Sequence, residues 1–427
     1  MTNNNSGIPP AESRNDCRTA LSGELSPGVK GGDGWRDDYR PGKRHVCGVA
    51  IRQSGQEYTI MEEFDLEREL RHLQRLGTAS LGISIPKEWA KARGYRAGSL
   101  LNMTLSDDGN IVISPSDTET PGFPSSCTIH ADSCPDAKLV LRAIIGCYVV
   151  GYSAIKVVSD SELTREQKEK VRLGVDMLTG VTTVEESGKH ILLEVMIQPP
   201  NFPMMSMIRR LFSLSSAMVV KTLDNVSHPQ AEAREEVSRM EMDVDRLYRL
   251  ILRLLLLSAR DKDIARQIGI TDTRHLLGDR AIVASLEFVG DLCEELIQEF
   301  GSMPYTEDGS DTVHDEIGKL LSMFRGLSKS TSSCLFEHDL NAASEALDSV
   351  SLLEKECWSG MRMIRRWDAD RRRAAVPAAE DTGGLYQMLF SSMRNIAKEY
   401  ELLVQVMMNR FIESPSPKFS YVETGLI

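Results

Sequence analysis

Four carboxylates are the side chains of this sequence best spaced for chemistry. Glu241 and Asp245 are four residues apart, and Glu287 and Asp291 repeat that spacing further along. In a helix, residues at i and i+4 share a face, so each pair aims oxygen donors in one direction. Like charges so placed repel by ~0.3 kcal/mol per pair. If the two helices are neighbours the four carboxylates converge, and an all-oxygen cluster suits a hard divalent cation or iron. The plainer alternative is a solvated acidic face balanced by Arg246 and Arg249.

A second set is basic. Arg71, Arg75, Lys87, Lys91, Arg93 and Arg96 oppose a single acid, Glu88, between positions 71 and 100. Doubled in a homodimer, such a patch could grip DNA phosphates; undoubled, it reads as a solvated rim. Cys127, His130 and Cys134 come nearest to a soft-metal spacing, but no fourth ligand follows, and buried thiols are the better reading. Phosphate-binding loops, dinucleotide fingerprints, HExxH and nucleophile elbows are all missing, so no enzyme is expected.

The elements that must position these residues follow from composition and period. Acids outnumber bases 62 to 50, so any nucleic-acid contact has to be local. Aromatics are few and methionines many, a mix that suits helix–helix packing. The eight cysteines form no CxxC pair, as in reduced cytosolic proteins. No signal-peptide core is apparent, and the longest apolar run, Ala143 to Val150, is too short to span a bilayer, so a cytoplasmic chain without membrane insertion is expected.

Residues 1–66 are read as a disordered tail, for want of apolar periodicity. In 67–118, Leu81, Ile83 and Ile85 alternate as a strand, Pro86 opens a short helix that Gly94 closes, and Asp107-Asp-Gly109-Asn marks a hairpin. So small a piece leaves open sheet edges, which an interleaved dimer would cover. A small α/β connecting domain is expected over 127–200, with helices near 139–149 and 164–178, a strand at 154–158 and a hairpin around Ser187-Gly188. Beyond Pro203 the period is helical. Val237, Met240, Val244, Leu247, Ile251 and Leu254 form one seam, and breaks near Pro229, Gly269, Gly301, His338 and Asp381 divide the rest. The pattern predicts two tandem three-helix antiparallel bundles, 204–302 and 311–414. The expected class is mainly α, with a smaller α+β part.

Two resemblances sharpen this reading. Through Gly77, Leu81-Gly-Ile-Ser-Ile-Pro86-Lys-Glu-Trp89 and Arg96-Ala-Gly98, segment 71–113 resembles the SpoVT/AbrB family, swapped-hairpin β-barrels that act as DNA-binding dimers in transition-state regulators and antitoxins. Gly98-Ser99 stands where that family usually has Gly-Asp. Through Met240-Glu-Met-Asp-Val-Asp245-Arg-Leu-Tyr248 and Ser285-Leu-Glu287-Phe-Val-Gly-Asp291, the helical region resembles PhoU, the phosphate-uptake regulator. That family binds metal through an E-x-x-x-D pair of the third-helix type, which the resemblance transfers to Glu287 and Asp291 and less directly to Glu241 and Asp245. In the second bundle Gln387 and Ser391 stand where acids are expected, so two intact metal clusters are not implied. The combination is similar to archaeal phosphate-uptake regulators. It implies a dimeric DNA-binding regulator; the rival readings are a signalling adaptor on the ATPase of a phosphate ABC transporter and a metal-binding bundle protein.

Overall fold

The structure, a computed structural model, describes residues 50–53, 56–59, 69–92, 94–105, 109–115, 125–134, 136–228, 230–301, 311–373 and 382–413. They belong to two units, Met1–Ser99 and Leu100–Ile427.

In the first unit, β1 (Ala50–Gln53) pairs antiparallel with β2 (Gln56–Thr59), Ile51 opposite Tyr58. Apart from these eight residues, the stretch read as a disordered tail, 1–66, lies outside the described residues. Strands β3 (Gln74–Leu76) and β4 (Ser80–Gly82) form the next hairpin around Gly77, whose φ of 71° is left-handed. The expected strand through Ile85 ends early at Gly82, and 83–86 run without regular structure into α1 (Lys87–Ala92). Pro86 contributes the first carbonyl, accepting from Ala90 N at 2.9 Å, and Gly94, at φ 72°, ends the helix.

The second unit opens with a hairpin of β5 (Leu101–Leu105) and β6 (Ile111–Pro115), Met103 opposite Ile113. Among the described residues this pair and β3–β4 are separate two-stranded sheets. A four-stranded sheet follows, built from β7 (Ser126–His130), α2 (Ala137–Val150), β8 (Ala154–Val158), α3 (Arg165–Asp176), β9 (Val181–Glu186) and β10 (His190–Val195). Its order is β7-β8-β10-β9, with β7 parallel to β8 and the other pairs antiparallel. Val140, Ile144 and Tyr148 of α2 and Val171 of α3 pack with Ile155, Val157, Ile191 and Leu193 in one core. Thr164 caps α3 in a reciprocal exchange with Gln167. Strand β7 has no counterpart in the sequence reading, because only Ile129 in it is both apolar and buried.

The helices are α4 (Met204–Ser227), α5 (Ala231–Arg260), α6 (Lys262–Gln267), α7 (His275–Gly301), α8 (Asp311–Glu337), α9 (Leu340–Arg373) and α10 (Thr382–Glu413). The short α6 is additional to the expected three and three. Asp261 caps it, accepting from Asp263 N at 2.8 Å. None of these helices is long and apolar enough to cross a membrane.

One continuous core runs through all the long helices, from Met204 to Met407. At its centre Tyr400 is fully buried, stacked edgewise on Phe324 at 5.3 Å and bonded to Ser216 at 2.7 Å. The first turn of α7 is clasped to the last turn of α10. There Arg410 donates to buried Asp279 at 2.6 Å and to the His275 carbonyl at 3.1 Å. On the second bundle, Gly360 faces the Phe390 ring so closely that a Cβ would overlap it.

The α/β sheet domain is held to α5 by arginines spaced seven apart, hence on one helix face. Arg246 donates to the carbonyl of Asp176, the last residue of α3, at 2.7 Å. Arg253 donates to the carbonyls of Tyr148, Gly151 and Tyr152, and Arg260 to that of Val150 at 3.3 Å. Arg253 is buried, so a full positive charge sits among the carbonyls at and just past the negative end of α2. Gly151, at φ 115°, lets the chain leave α2 beneath Leu257. Arg253→Met should therefore cost about 2–4 kcal/mol, by leaving buried carbonyls unpaired. Chemical denaturation should show it, together with protease cleavage between Val195 and Met204; an unchanged midpoint would refute the clamp.

Candidate functional site

Helices α5 and α7 cross antiparallel, and their facing residues form a polar seam. At one end Arg234 donates to Gln298, whose amide donates to Ser238 and to Glu294, both at 2.9 Å; Ser238 donates in turn to Glu294 Oε1 at 3.0 Å. At the other end Arg280 donates to Tyr248 OH at 3.1 Å. Between these ends stand Glu241, Asp245, Glu287 and Asp291. The spacing of three and four that aligns Ser238, Glu241 and Asp245 meets the same spacing in Glu294, Asp291 and Glu287.

The four acids thus feel one another. Burial pushes the Glu241 carboxyl up to about 7, with Asp245, Glu294 and Asp291 adding to the effect. Burial, then Asp291 and Asp245, push Glu287 up to about 7, against the pull of Arg249 and Arg280. Asp291 is raised too, by burial and then by Asp245. Arg249 is ion-paired with Asp245, whereas Arg246, the other balancing charge named from sequence, is drawn away to the α/β domain. Sequence reasoning missed Glu294, whose second oxygen is buried without a hydrogen-bond partner in the structure. The signal was present, since 287, 291, 294 and 298 continue one helical stripe.

An all-oxygen, mutually repelling donor set fits a hard cation. The ligating oxygens of these acids do not, however, already converge within 4.8 Å of one another; among the described residues only Asp272, His275 and Glu413 do. That trio is poorly suited to a metal. Arg274 covers both carboxylate oxygens of Asp272, and these hydrogen bonds pull its carboxyl down to about 2. The second bundle differs. Lys398 lies 2.9 Å from Glu354 and 2.8 Å from Glu401, and Arg394 stacks 4.9 Å over Trp358, so the α9 acid Glu354 already has a cation from α10 as its partner. Cys127, His130 and Cys134 do not gather as ligands either. The Cys147 thiol, hydrogen-bonded to Cys127, is pushed up to about 12, chiefly by burial.

The basic residues lie in the first unit. Arg75 is on β3, Lys87 and Lys91 are on α1, and these three, with Arg71 and Arg96, are exposed; Arg93 falls outside the described residues. Arg71 is paired with Glu69.

With this geometry in view, two family models match. The PhoU domain model covers residues 208–300, from α4 through α7. Helices α4 to α7 are PhoU-like. The second model, that of the MazE antitoxin ("Antidote-toxin recognition MazE, bacterial antitoxin"), covers 74–121 and so agrees with the antitoxin side of the hairpin resemblance. No curated protein matches. Among solved structures, PhoU from Pseudomonas aeruginosa is similar at 12% identity over 49% of this chain and 96% of that one, with a TM-score of 0.38.

The raised carboxyls of the PhoU-like bundle have a pH signature. Their stabilising contribution is complete below the ordinary value of 4.5 and is lost as pH rises through about 7, because ionisation costs more in the folded chain than in the unfolded one. Chelator-treated protein should therefore melt lower at pH 8 than at pH 5. Glu241→Gln with Glu287→Gln should flatten that slope and raise the pH 8 midpoint by ~2–4 °C, about 1 kcal/mol after allowance for solvent screening. A wild-type midpoint that climbs over this range would contradict the assignment.

Proposed function

We propose that this chain is a dimeric, cytoplasmic, DNA-binding regulator of phosphate uptake that catalyses no reaction. The match of 208–300 to the PhoU domain over the α5–α7 acid seam carries the reading. In this reading Glu241, Asp245, Glu287 and Asp291 would hold a divalent cation or iron, and the cation supplies the positive charge that the seam lacks. Arg249 would remain on Asp245, and Glu294 would orient beside it through Ser238 and Gln298. The same helix α5 carries the arginines that seat the α/β domain, so a change in the seam has a direct structural route to the sheet.

Dimerisation is supported by the hairpins. Leu81 is 66% exposed on β4, and Leu105 74% and Ile111 65% on β5 and β6. Short two-stranded sheets with apolar side chains in water and open edges are unstable alone. A second copy that interleaves its hairpins would cover both. Arg71, Arg75, Lys87, Lys91, Arg93 and Arg96 would then be doubled on the DNA-facing side.

Deleting residues 67–115 should give a monomer by light scattering and abolish retention of the cognate operator duplex. A deletion protein that stays dimeric removes the hairpins as the dimer interface; a full-length dimer that never binds DNA leaves the transporter adaptor as the better reading. For the metal, Glu287→Gln with Asp291→Asn should lose bound metal after identical purification, and with it the rise in melting temperature on adding the ion. Equal metal content in variant and wild type would exclude the seam as the site.

A further inference from the structure

The second bundle carries a charge pattern that the proposed function does not use. Between Arg362 and Arg373 the sequence places six arginines and two aspartates, in a chain whose net charge is −12. Arg362, Arg365, Arg366 and Arg373 recur at intervals of three, four and eleven from the first, which puts all four on one face of α9. The opposite face is core: Ile364 is fully buried and Met361 nearly so. All four arginines are exposed, and only Arg373 has an ion pair, to exposed Asp370 at 3.4 Å; among the described residues none is seen for Arg362, Arg365 or Arg366.

From Arg365 onward the stripe also runs past the start of its neighbour α8. Lys319 of α8 pairs with Glu356 of α9, and α8 begins eight residues before Lys319, at Asp311 (319 − 311 = 8). Antiparallel packing therefore sets the start of α8 beside position 364 of α9 (356 + 8), and the helix runs on to Arg373 beyond it. From Arg362 to Arg373 the face is ~16 Å long at 1.5 Å per residue.

Its composition selects the partner. A helix that lies on a membrane interleaves its cations with large apolar side chains, and a protein–protein interface is built on an apolar or aromatic centre. Only Ala369 lies between these arginines on the face; Trp358, one turn earlier, is part-exposed and has Arg394 stacked 4.9 Å over its ring. Every cation is an arginine, whose planar fork takes phosphate oxygens two at a time. A duplex offers one phosphate charge per ~1.7 Å of its axis, so a face of this length meets several.

We propose that the Arg362–Arg373 face of α9 is a sequence-independent contact for the phosphates of a nucleic-acid duplex, separate from the basic segment 71–96. The choice of duplex DNA rests on the DNA-binding reading above; the stripe itself does not. It adds counterion release, and therefore affinity, without adding base readout.

The test measures binding of the full chain to an arbitrary-sequence DNA duplex by fluorescence anisotropy, between about 50 and 200 mM salt. Three proteins are compared with wild type: Arg362→Gln/Arg365→Gln/Arg366→Gln, the same positions changed to Lys, and Arg71→Ala/Arg75→Ala. The Gln triple should lower the slope of log K against log salt by roughly 2–3, with an unchanged melting temperature, and the Lys triple should retain most of the slope. A slope left unchanged in the Gln triple overturns the proposal even if Arg71→Ala/Arg75→Ala weakens binding, which would leave the DNA-binding reading standing. The reverse result upholds the α9 contact and removes segment 71–96. Wild-type protein that ignores the duplex but binds phosphatidylserine vesicles through these arginines also overturns it, in favour of a membrane surface.

Discussion

Helix α5 has to satisfy three neighbours with one period of 3.6 residues. Val244, Ile251 and Leu254 face the shared core, Glu241 and Asp245 face α7, and Arg246, Arg253 and Arg260 face the α/β domain. The arginine face is the most demanding of the three, because Arg253 is buried among backbone carbonyls and has no water to turn to. Rotating the helix to relax any one face would uncover another. The acid seam is thereby held at a fixed orientation to the sheet, and a local change in its charge cannot be absorbed by the helix turning alone.

The two bundles solve the same packing problem with opposite electrostatics. Between α5 and α7, carboxylates confront carboxylates and are driven towards protonation. Between α9 and α10, Lys398 pairs with Glu354 and Glu401, and Arg394 stacks over Trp358. This division agrees with the different sequences of the two halves, in which the second lacks acids at Gln387 and Ser391.

Much of the helical region was legible because its seams are local. Val237, Val244, Leu247, Ile251 and Leu254 are all buried, and the breaks at His228, Gly269 and His338 fall between helices, His338 itself at a left-handed φ of 56°. The strand 154–158 and the cap at Thr164 were legible for the same reason. What escaped depends on distant partners. Strand β7 is a strand because β8 lies beside it, and its own polar residues carry no alternation. Arg246 reads as a partner for nearby acids until the folded chain brings the carbonyl of Asp176 within reach. The acid pairs are marked by their spacing, whereas Glu294 takes its place through Ser238, which only the fold brings beside it.

The continuous core has a consequence for how the helical half comes apart. Tyr400 of α10 rests on Phe212 of α4 and Phe324 of α8, and it bonds to Ser216, so the aromatic centre belongs to neither bundle by itself. Amide protons deep in α4 and in α10 should then exchange through one common opening rather than two. A chain severed between α7 and α8 would behave as a split pair, each fragment presenting a raw apolar face whose best cover is the other, and the two would reconstitute on mixing.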